Sequence, residues 1–337
     1  MTEASTPSDA DLERAQARMD DLRKRLRAAV RGRDDVIDLI LIALLADGHV
    51  LLEDFPGSGK TTLAKALGES IRDDRPEAER AGIEGFRRVQ FTPDLLPSDV
   101  TGTTVFDAKS GQFSFRPGPV FAHVLLADEV NRTSPKVQAA LLEAMGEKQV
   151  TVDNVTRPLD DLFFVIATQN PLDLVGTFPL PVAQLDRFLF KIRMDFVERD
   201  AEIDVLRSIR ERRRPPQAHP PISRDDVLEA RRAVDQGVHV HPALHETLVD
   251  VARRIRDDAR VRQGVSTRSL VLAIPALQAR AMLAGRDHVD SDDLEAVLPR
   301  VFAHRMELTG GAEPDAVVQD ALLPGLEALA RLELRAG

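Results

Sequence analysis

The chain of 337 residues contains no cysteine, no tryptophan and no tyrosine, and aromatic residues make up only 4% of it. The lack of cysteine excludes disulfide bonds, thiol nucleophiles and thiolate metal sites. Because aromatic side chains are scarce, a surface that stacks nucleic-acid bases is poorly supplied. The longest apolar run, Leu39–Ala46, is too short to span a bilayer, and no secretory signal precedes it. We therefore expect a cytoplasmic protein.

Charge and length narrow the class of protein further. The formal net charge is −10, which opposes nonspecific binding to nucleic acid or anionic lipid. The basic cluster Arg210–Arg214 lies beside prolines and is more typical of a solvated hinge than of a binding surface. A chain of 337 residues can bury the cores of two domains.

A phosphate-binding loop is predicted at EDFPGSGKTT, residues 53–62, which follows the apolar run Val50–Leu52 and precedes a helical pattern. Glycines let backbone N–H groups close around a phosphate, and a helix N-terminus favours negative charge. Lys60 supplies a positive charge to the phosphates, and the Thr61 hydroxyl is suited to Mg²⁺. The usual first glycine is replaced by Asp54. A tight turn without a ligand is the alternative, but strand, Gly-Lys-Thr and helix occur together, which favours nucleotide binding. The predicted nucleotide-binding residues are Pro56, Gly57, Ser58, Gly59, Lys60, Thr61 and Thr62.

Two further polar sites follow predicted strands. Asp128 and Glu129 end the apolar run His123–Ala127, and Asn170 follows the run Leu162–Ala167. Ligands of open α/β sheets bind at the carboxyl ends of the strands. The first acid then suits Mg²⁺ coordination, the second suits orientation or deprotonation of water, and the amide can position that water. Solvated acids and an ordinary Asn-Pro turn are the alternatives.

Short apolar runs alternate with helical patterns between residues 49 and 194, which predicts βαβ units and a parallel α/β sheet. The five predicted strands are His49–Leu52, Arg88–Phe91, His123–Ala127, Leu162–Ala167 and Phe188–Ile192. We expect a disordered tail over residues 1–10 and a nucleotide-binding core over 11–195 that includes an amphipathic N-terminal helix. Residues 196–337 are predicted to form an all-α lid. Its predicted helices run from about 196 to Arg212 and over Arg224–Asp235, Pro242–Arg262, Thr267–Ala284 and Ser291–Met306.

The chain closely resembles the MoxR-type AAA+ ATPases, which belong to the helix-2-insert clade. The match runs from about Gly32 to Met306 and rests on long motifs. These are LLEDFPGSGKT, QFTPDLLPSDVTG, FRPGPVF, LLADEVNRTSPKVQAALLEAMGEKQVTVD, FFVIATQNP, GTFPLPVAQLDRFLFKI and GVSTRS. The resemblance implies a P-loop AAA+ core with a parallel five-stranded sheet and flanking helices, followed by a C-terminal all-α lid.

The resemblance also assigns roles to individual residues. Lys60 and Thr61 match the Walker A lysine and threonine, Asp128 and Glu129 match Walker B, and Asn170 matches sensor 1. Arg187 matches the arginine finger, which reaches into a neighbouring subunit, and Arg268 matches the sensor 2 arginine. A surface ion pair is the alternative for each arginine. The stretches 92–119 and 147–158 resemble the helix-2 insertion and the pre-sensor-1 β-hairpin, with Asp153-Asn154 as a turn.

Three functions are consistent with the predicted phosphate-binding loop. The resemblance favours an ATPase that uses ATP and Mg²⁺ and assembles as a homo-oligomeric, hexameric ring. Such a ring acts on a protein client, as a chaperone or on a metal-centre protein, through a partner with a von Willebrand factor A domain. A nucleic-acid-handling AAA+ motor is the alternative, although the acidic charge opposes it. A small-molecule kinase or guanine-nucleotide switch leaves Asn170, Arg187 and the lid unexplained.

His239, His241 and His245 have a spacing that could bind zinc. Pro242 follows directly and suits the start of a helix, so we interpret the three histidines as surface residues of a lid loop.

Overall fold

The computed structural model of the protein describes residues 9–54, 58–109, 111–170, 176–207 and 220–336. The predicted disordered tail and the Arg210–Arg214 cluster lie outside these residues, apart from Asp9 and Ala10, which begin the first helix. The helices are α1 Asp9–Ala29, α2 Asp34–Leu45, α3 Lys60–Glu69, α4 Pro76–Ala81, α5 Pro97–Thr101, α6 Pro135–Glu147, α7 Val182–Leu185, α8 Arg199–Arg207, α9 Arg224–Gly237, α10 Pro242–Asp257, α11 Thr267–Leu283, α12 Ser291–Phe302 and α13 Pro314–Ala336. The strands are β1 Val50–Asp54, β2 Ile71–Arg72, β3 Glu84–Gln90, β4 Gly102–Asp107, β5 Gln112–Pro117, β6 Ala122–Asp128, β7 Gln149–Val152, β8 Val155–Pro158, β9 Phe164–Gln169, β10 Phe190–Met194, β11 Ile222–Ser223, β12 Val261–Gln263 and β13 Glu307–Leu308.

The predicted parallel sheet is confirmed. Five strands form it in the order β10-β1-β9-β6-β3, and every neighbouring pair is parallel. All seven residues of β6 are buried, as expected for a strand that is covered by helices on both faces. Parallel pairing brings the carboxyl ends of β1, β3, β6 and β9 to one edge of the sheet. The phosphate loop follows β1, the acids Asp128 and Glu129 lie at the end of β6, and Asn170 follows β9.

Two β-hairpins project from the core where the insertions were expected. β4 and β5 pair antiparallel within residues 92–119, and β7 pairs with β8 within residues 147–158. Asp153 and Asn154 form the tight turn of the second hairpin, with φ of 51° and 59°. Two successive positive φ angles match the twist of the flanking strands. The guanidinium carbon of Arg157 lies 3.9 Å from the ring centroid of Phe115, so the two hairpins contact each other.

The C-terminal region is helical, but it is not purely so. The structure ends α10 at Asp257, whereas the sequence pattern predicts a helix to Arg262. The Asp258 carboxylate accepts the backbone N–H of Arg260 at 2.8 Å, and this local turn competes with the helix. β12 then pairs antiparallel with β13, which the sequence analysis did not predict. Helix α13 was also missed.

Helix α1 packs against α2 and α3 of the core and against α9 and α11 of the lid. Its predicted apolar face is buried, and Leu22 and Leu26 are fully enclosed. The end of lid helix α9 approaches it so closely that a Cβ at Gly237 would lie 2.2 Å from a methyl group of Leu12. One hydrophobic cluster contains residues of α1, α2, one face of the sheet and the lid helices. Core and lid therefore share a continuous interior.

The lid is also joined to the core by backbone hydrogen bonds and by ion pairs. β11, which precedes α9, pairs with β2 of the core, with Ile222 beside Ile71. The buried carboxylate of Asp160 accepts hydrogen bonds from Arg224 of α9 at 2.8 Å and from Arg75 at 2.7 Å. Burial alone would raise the pKa of Asp160, but its interaction with the nearby His123 ring and its hydrogen bonds from both arginines outweigh burial and hold that pKa well below its usual range. None of the described helices is long and apolar enough to cross a membrane.

Candidate functional site

The phosphate loop joins β1 to α3. Gly59 has φ of 94°, a conformation that favours glycine, and α3 begins at Lys60. Ser58, Gly59, Lys60, Thr61 and Thr62 are therefore placed at a helix N-terminus, as predicted for phosphate binding. The hydroxyl of Ser58 is buried and has no hydrogen-bond partner in the described part of the chain. Pro56 and Gly57 lie outside the described residues.

The two Walker B acids are organised by one hydroxyl group. Thr168 of β9 is fully buried, and its hydroxyl donates to Asp128 Oδ1 at 2.6 Å. The hydroxyl oxygen of Thr168 also accepts the backbone N–H of Glu129 at 2.8 Å. Glu129 adopts φ of 58° and ψ of 50°, which turns the chain sharply directly after the strand. The sequence analysis did not identify Thr168, although a polar residue in a buried apolar run was a signal.

Three further residues hold the acids and were also missed. Arg88 of β3 donates to Asp128 Oδ2 at 2.7 Å. Gln90, at the carboxyl end of β3, donates to Glu129 Oε2 at 2.8 Å, and Arg132 forms an ion pair with the same oxygen at 2.9 Å. The Glu129 carboxylate is thus held by its own subunit. These partners come from a neighbouring strand and the following turn, so no local motif indicates them.

Asn170 lies at the same edge of the sheet as these acids. It follows β9 directly, and its backbone carbonyl accepts a hydrogen bond from the side-chain amide of Asn131 at 3.3 Å. Next to it, Gln169 donates to Glu53 at 2.5 Å, and Lys191 forms an ion pair with Glu53 at 2.8 Å. The structure therefore brings Lys60, Asp128, Glu129 and Asn170 to one edge.

Arg187 lies at the opposite edge. It precedes β10, whereas the phosphate loop follows β1, and these strands pair in parallel from Val50 beside Phe190 to Asp54 beside Met194. The length of the strand separates the two positions by about 15 Å along the sheet. The Arg187 guanidinium donates to the backbone carbonyl of Leu142 near the end of α6. At this separation Arg187 does not contact the described residues of the phosphate loop in the same chain.

Arg268 lies close to the same segment as Arg187. It is the second residue of α11, and its side chain is 55% exposed. Its Nε lies 4.0 Å from the carboxylate of Asp186, the residue before Arg187. The two arginines assigned to ATP chemistry therefore share one side of the molecule, away from their own Walker A loop.

Similarity to known proteins fits this arrangement. Residues 49–190 match the ATPase family associated with various cellular activities (AAA), and residues 253–324 match the AAA lid domain. The chain is 46% identical over 293 residues to the uncharacterized protein YeaC of Bacillus subtilis, covering 87% of this chain and 88% of that one. It is 36% identical over 311 residues to chaperone MoxR1 of Mycobacterium tuberculosis, covering 88% of this chain and 78% of that one. The chain belongs to the MoxR family of AAA+ ATPases.

A solved structure of another protein has the same fold as this MoxR family chain. A crystal structure of a Cytophaga hutchinsonii protein described as a candidate ATPase superposes with a TM-score of 0.83 and 32% identity. The alignment covers 94% of this chain and 96% of that one. The fold of the MoxR family thus extends over both the core and the helical C-terminal region.

The site of this MoxR family member has ligands that fit nucleotide and magnesium. Mg²⁺ prefers oxygen ligands and retains several waters, and the Thr61 hydroxyl and Asp128 carboxylate supply such oxygens. Asp128 is buried, and its present partners, Arg88 and Thr168, are both donors that a cation can replace or join through water. The Ser58 hydroxyl is buried and has no hydrogen-bond partner among the residues that the structure describes, which fits a loop that a phosphate completes.

Two other clusters in this MoxR family chain do not have the features of metal sites. Asp73, His123 and Asp160 could present ligand atoms within 4.8 Å of one another. However, the guanidinium of Arg75 already contacts both carboxylates, at 2.6 and 2.7 Å, and supplies the compensating charge.

The three lid histidines lie at the surface, as interpreted from the sequence. His239, His241 and His245 are exposed. His241 caps α10, where its Nδ1 accepts the backbone N–H of Ala243 at 3.2 Å. The Nδ1 atom of His241 therefore has a capping role and is not available to a metal.

Proposed function

We propose that the protein hydrolyses ATP at interfaces between subunits of a homo-oligomeric, hexameric ring. The positions of the candidate groups at two opposite edges of the sheet carry this proposal. Lys60, Asp128 and Glu129 follow the carboxyl ends of strands, whereas Arg187 precedes the amino end of β10. Because a single chain keeps these groups apart, a complete site requires the edge of one subunit to face the other edge of a second.

Hydrolysis follows from the chemistry of these groups. Lys60 and the N-terminus of α3 bind the phosphates, and Thr61 and Asp128 would hold a Mg²⁺ ion, which would supply positive charge to the phosphate oxygens. Glu129 accepts a proton from the attacking water while Asn170 orients that water. Gln90 and Arg132 both bind Oε2 of Glu129, so the proton is accepted either by Oε1 or by Oε2 after it leaves these partners.

The two arginines complete the site of the neighbouring subunit. A guanidinium presents a planar set of donors that suits phosphate oxygens. An arginine that enters a phosphoryl-transfer site from a second protein contributes about 10³–10⁵ in rate. Arg187 serves as the arginine finger. Arg268 serves as the sensor 2 arginine; it lies near Asp186, the residue before Arg187, and approaches the same nucleotide of the neighbouring subunit.

ATP turnover in this ring drives the remodelling or activation of a protein client or metal-centre protein. The relative MoxR1 is named a chaperone, which supports this class of function. The hairpins β4–β5 and β7–β8 project from the core and provide surfaces for the client. Phe106 and Phe113 of the first hairpin are exposed, and their ring centroids lie 5.0 Å apart. A partner with a von Willebrand factor A domain delivers the client in the cytoplasm.

Turnover and assembly test this proposal together. ATPase activity per subunit is expected to rise with protein concentration in parallel with the ring fraction measured by light scattering. Lys60→Ala should abolish ATP binding, whereas Glu129→Gln should bind ATP, lose turnover and accumulate as loaded rings. Lys65→Ala is the matched control, because Lys65 lies on the same helix and pairs only with exposed Glu69 among the described residues.

Equal turnover by a verified monomer and by the ring would contradict the interfacial site. Normal turnover by Glu129→Gln would exclude this residue as the base. Stimulation of turnover by DNA or RNA, rather than by a protein partner, would favour the nucleic-acid motor instead. Capture of a client by ATP-loaded Glu129→Gln rings would identify the substrate.

A further inference from the structure

Arg305 of the lid is almost completely buried and binds the segment that contains Arg187. Its side chain is 1% exposed and lies in the short turn that follows α12. Its Nε donates to the carboxylate of Asp186 at 2.8 Å, and Nη1 donates to the backbone carbonyl of Leu189 at 3.1 Å. Nη2 donates to the backbone carbonyls of Asp186 and Phe188. One guanidinium thus binds the chain on both sides of Arg187.

Other lid residues bind the same segment. The Nε2–H of His304 donates to the backbone carbonyl of Phe188 at 3.1 Å. Burial lowers the pKa of His304 well below its usual value, so the ring is neutral and donates from one nitrogen only. The hydroxyl of Ser269, in α11, lies 3.4 Å from the Asp186 carboxylate. The lid therefore contacts Asp186 and Phe188, the two residues that flank Arg187.

The charge of Arg305 persists in this buried place. Burial lowers its pKa to about 10, against the opposing effect of Asp186, so the guanidinium stays protonated at neutral pH. A buried guanidinium is stable only when its donors are bonded, and each of its three nitrogens has an acceptor here. These bonds fix the backbone at Asp186, Phe188 and Leu189, and so limit where Arg187 can be placed.

We propose that Arg305 is a positioning residue for the arginine finger, holding Arg187 in the place from which it reaches a neighbouring subunit's ATP. All three nitrogens of Arg305 are bonded to its own chain, and it acts through Asp186 and the backbone on both sides of Arg187. The inference rests on the proposed interfacial ATPase, because it requires Arg187 to act in trans. It makes lid and finger one unit, so that the packing of the lid sets the catalytic geometry in the next subunit.

Mixed rings test this role. Arg305→Lys keeps the charge but loses the forked donors, and we expect turnover to fall by roughly 10²-fold with ATP binding unchanged, as for a misplaced catalytic group. The defect should lie in what the subunit gives to its neighbour. Rings that also contain Lys60→Ala subunits, which bind no ATP but retain an intact finger, should therefore recover turnover several-fold. Recovery is measured as ATPase activity per Arg305→Lys subunit at a fixed total concentration.

Two reference variants separate the possible failures. Arg187→Ala mixed with Lys60→Ala should show the same recovery, and absence of that recovery would contradict the finger itself. If Arg187→Ala recovers and Arg305→Lys does not, Arg305 supports only the fold of its own subunit and this inference is wrong. Arg286→Lys is the matched control, because its ion pairs with Asp290 and Asp293 stay within the lid, and its turnover should be unchanged.

A second variant tests the same contact if Arg305→Lys does not fold or assemble. Asp186→Asn removes the charge that Arg305 binds but retains the size of the side chain. It should show the same loss of turnover and the same recovery with Lys60→Ala subunits. Assembled Asp186→Asn rings with normal turnover, or with a loss that mixing does not restore, would overturn the proposal.

Discussion

At the scale of single residues, the hydroxyl of Thr168 connects the two acids of the candidate site. It donates to Asp128 and accepts from the backbone of Glu129, so it fixes one acid relative to the other. The bond to Asp128 is buried and the bond from Glu129 is partly buried, so loss of the hydroxyl leaves both remaining groups poorly satisfied. A change of this residue should therefore affect the geometry of catalysis more than the affinity for ATP.

Thr168→Val tests this connection. We expect turnover to fall by about 10- to 100-fold, equivalent to roughly 1.5–3 kcal/mol for hydrogen bonds to a charged group, while the Kd for ATP stays within a few-fold. The measurement is steady-state ATPase activity together with equilibrium binding of a nucleotide. Thr151→Val, in the exposed Thr151–Thr156 pair of the second hairpin, is the control. Equal losses of turnover in both variants would contradict the assigned connection.

The sequence indicated some site residues and not others for a physical reason. Lys60, Asp128, Glu129 and Asn170 are recognisable because each follows a strand within its own motif. Arg88 was not recognisable, because its role depends on the register in which β3 lies beside β6. The roles of Gln90 and Arg132 likewise depend on contacts between separate segments, as does that of Arg305 in the lid.

At the scale of elements, two glycines form the base of the hairpin β4–β5. A Cβ at Gly118 would lie 2.3 Å from the backbone oxygen of Val100 and 2.4 Å from the backbone nitrogen of Gly102. Backbone atoms cannot move away as the end of a side chain can. The close approach of these two segments therefore sets where the hairpin leaves the core.

Gly118→Ala should displace this hairpin. We expect a destabilisation of about 1–3 kcal/mol, as for overpacking of a close contact, and faster hydrogen exchange over β4 and β5 than in the unchanged protein. Gly310→Ala is the control, because a Cβ there meets no atom of the described chain within 4 Å. Unchanged exchange in Gly118→Ala would show that the backbone accommodates the added methyl group.

Elements were predictable where local chemistry and packing agree. The five sheet strands and helices such as α9 and α11 follow apolar patterns that burial confirms. Helix α13 was missed because it contains Pro324 and Gly325, which disfavour helices locally. A Cβ at Gly325 would lie 2.6 Å from a methyl carbon of Thr247 in α10, so tertiary packing requires the small residue there.

At the scale of the whole molecule, buried histidines connect stability to pH. His49 is fully enclosed, its Nδ1 accepts the backbone N–H of Val165 at 3.1 Å, and its Nε2–H donates to Met145 at 3.2 Å. Burial lowers the pKa of His49 to about 4. His304 is shifted in the same direction. Both rings are therefore neutral in the folded protein at a pH where the unfolded chain already binds protons.

The free energy of unfolding should fall as pH falls from about 6.5, the ordinary histidine value, towards 4. The pKa of His49 is lower in the folded protein than in the unfolded chain, so the folded protein keeps its full stability above this pH range. Below the range, His49 alone lowers the free energy of unfolding by roughly 3 kcal/mol. Urea unfolding between pH 7.5 and 4.5 measures it. His49→Gln should reduce the dependence, whereas exposed His245→Gln should not. The same slope in His49→Gln as in the unchanged protein would contradict this account.

The pairing of β11 with β2 has a consequence for motion in the proposed ring. Backbone bonds to β2, the Asp160–Arg224 contact and the shared hydrophobic interior all resist separation of the helical region from its own sheet. A hinge inside one copy would have to break these links in every cycle. In the ring proposed above, we therefore expect each copy to move as one rigid body relative to its neighbours, with the motion centred on the nucleotide between them.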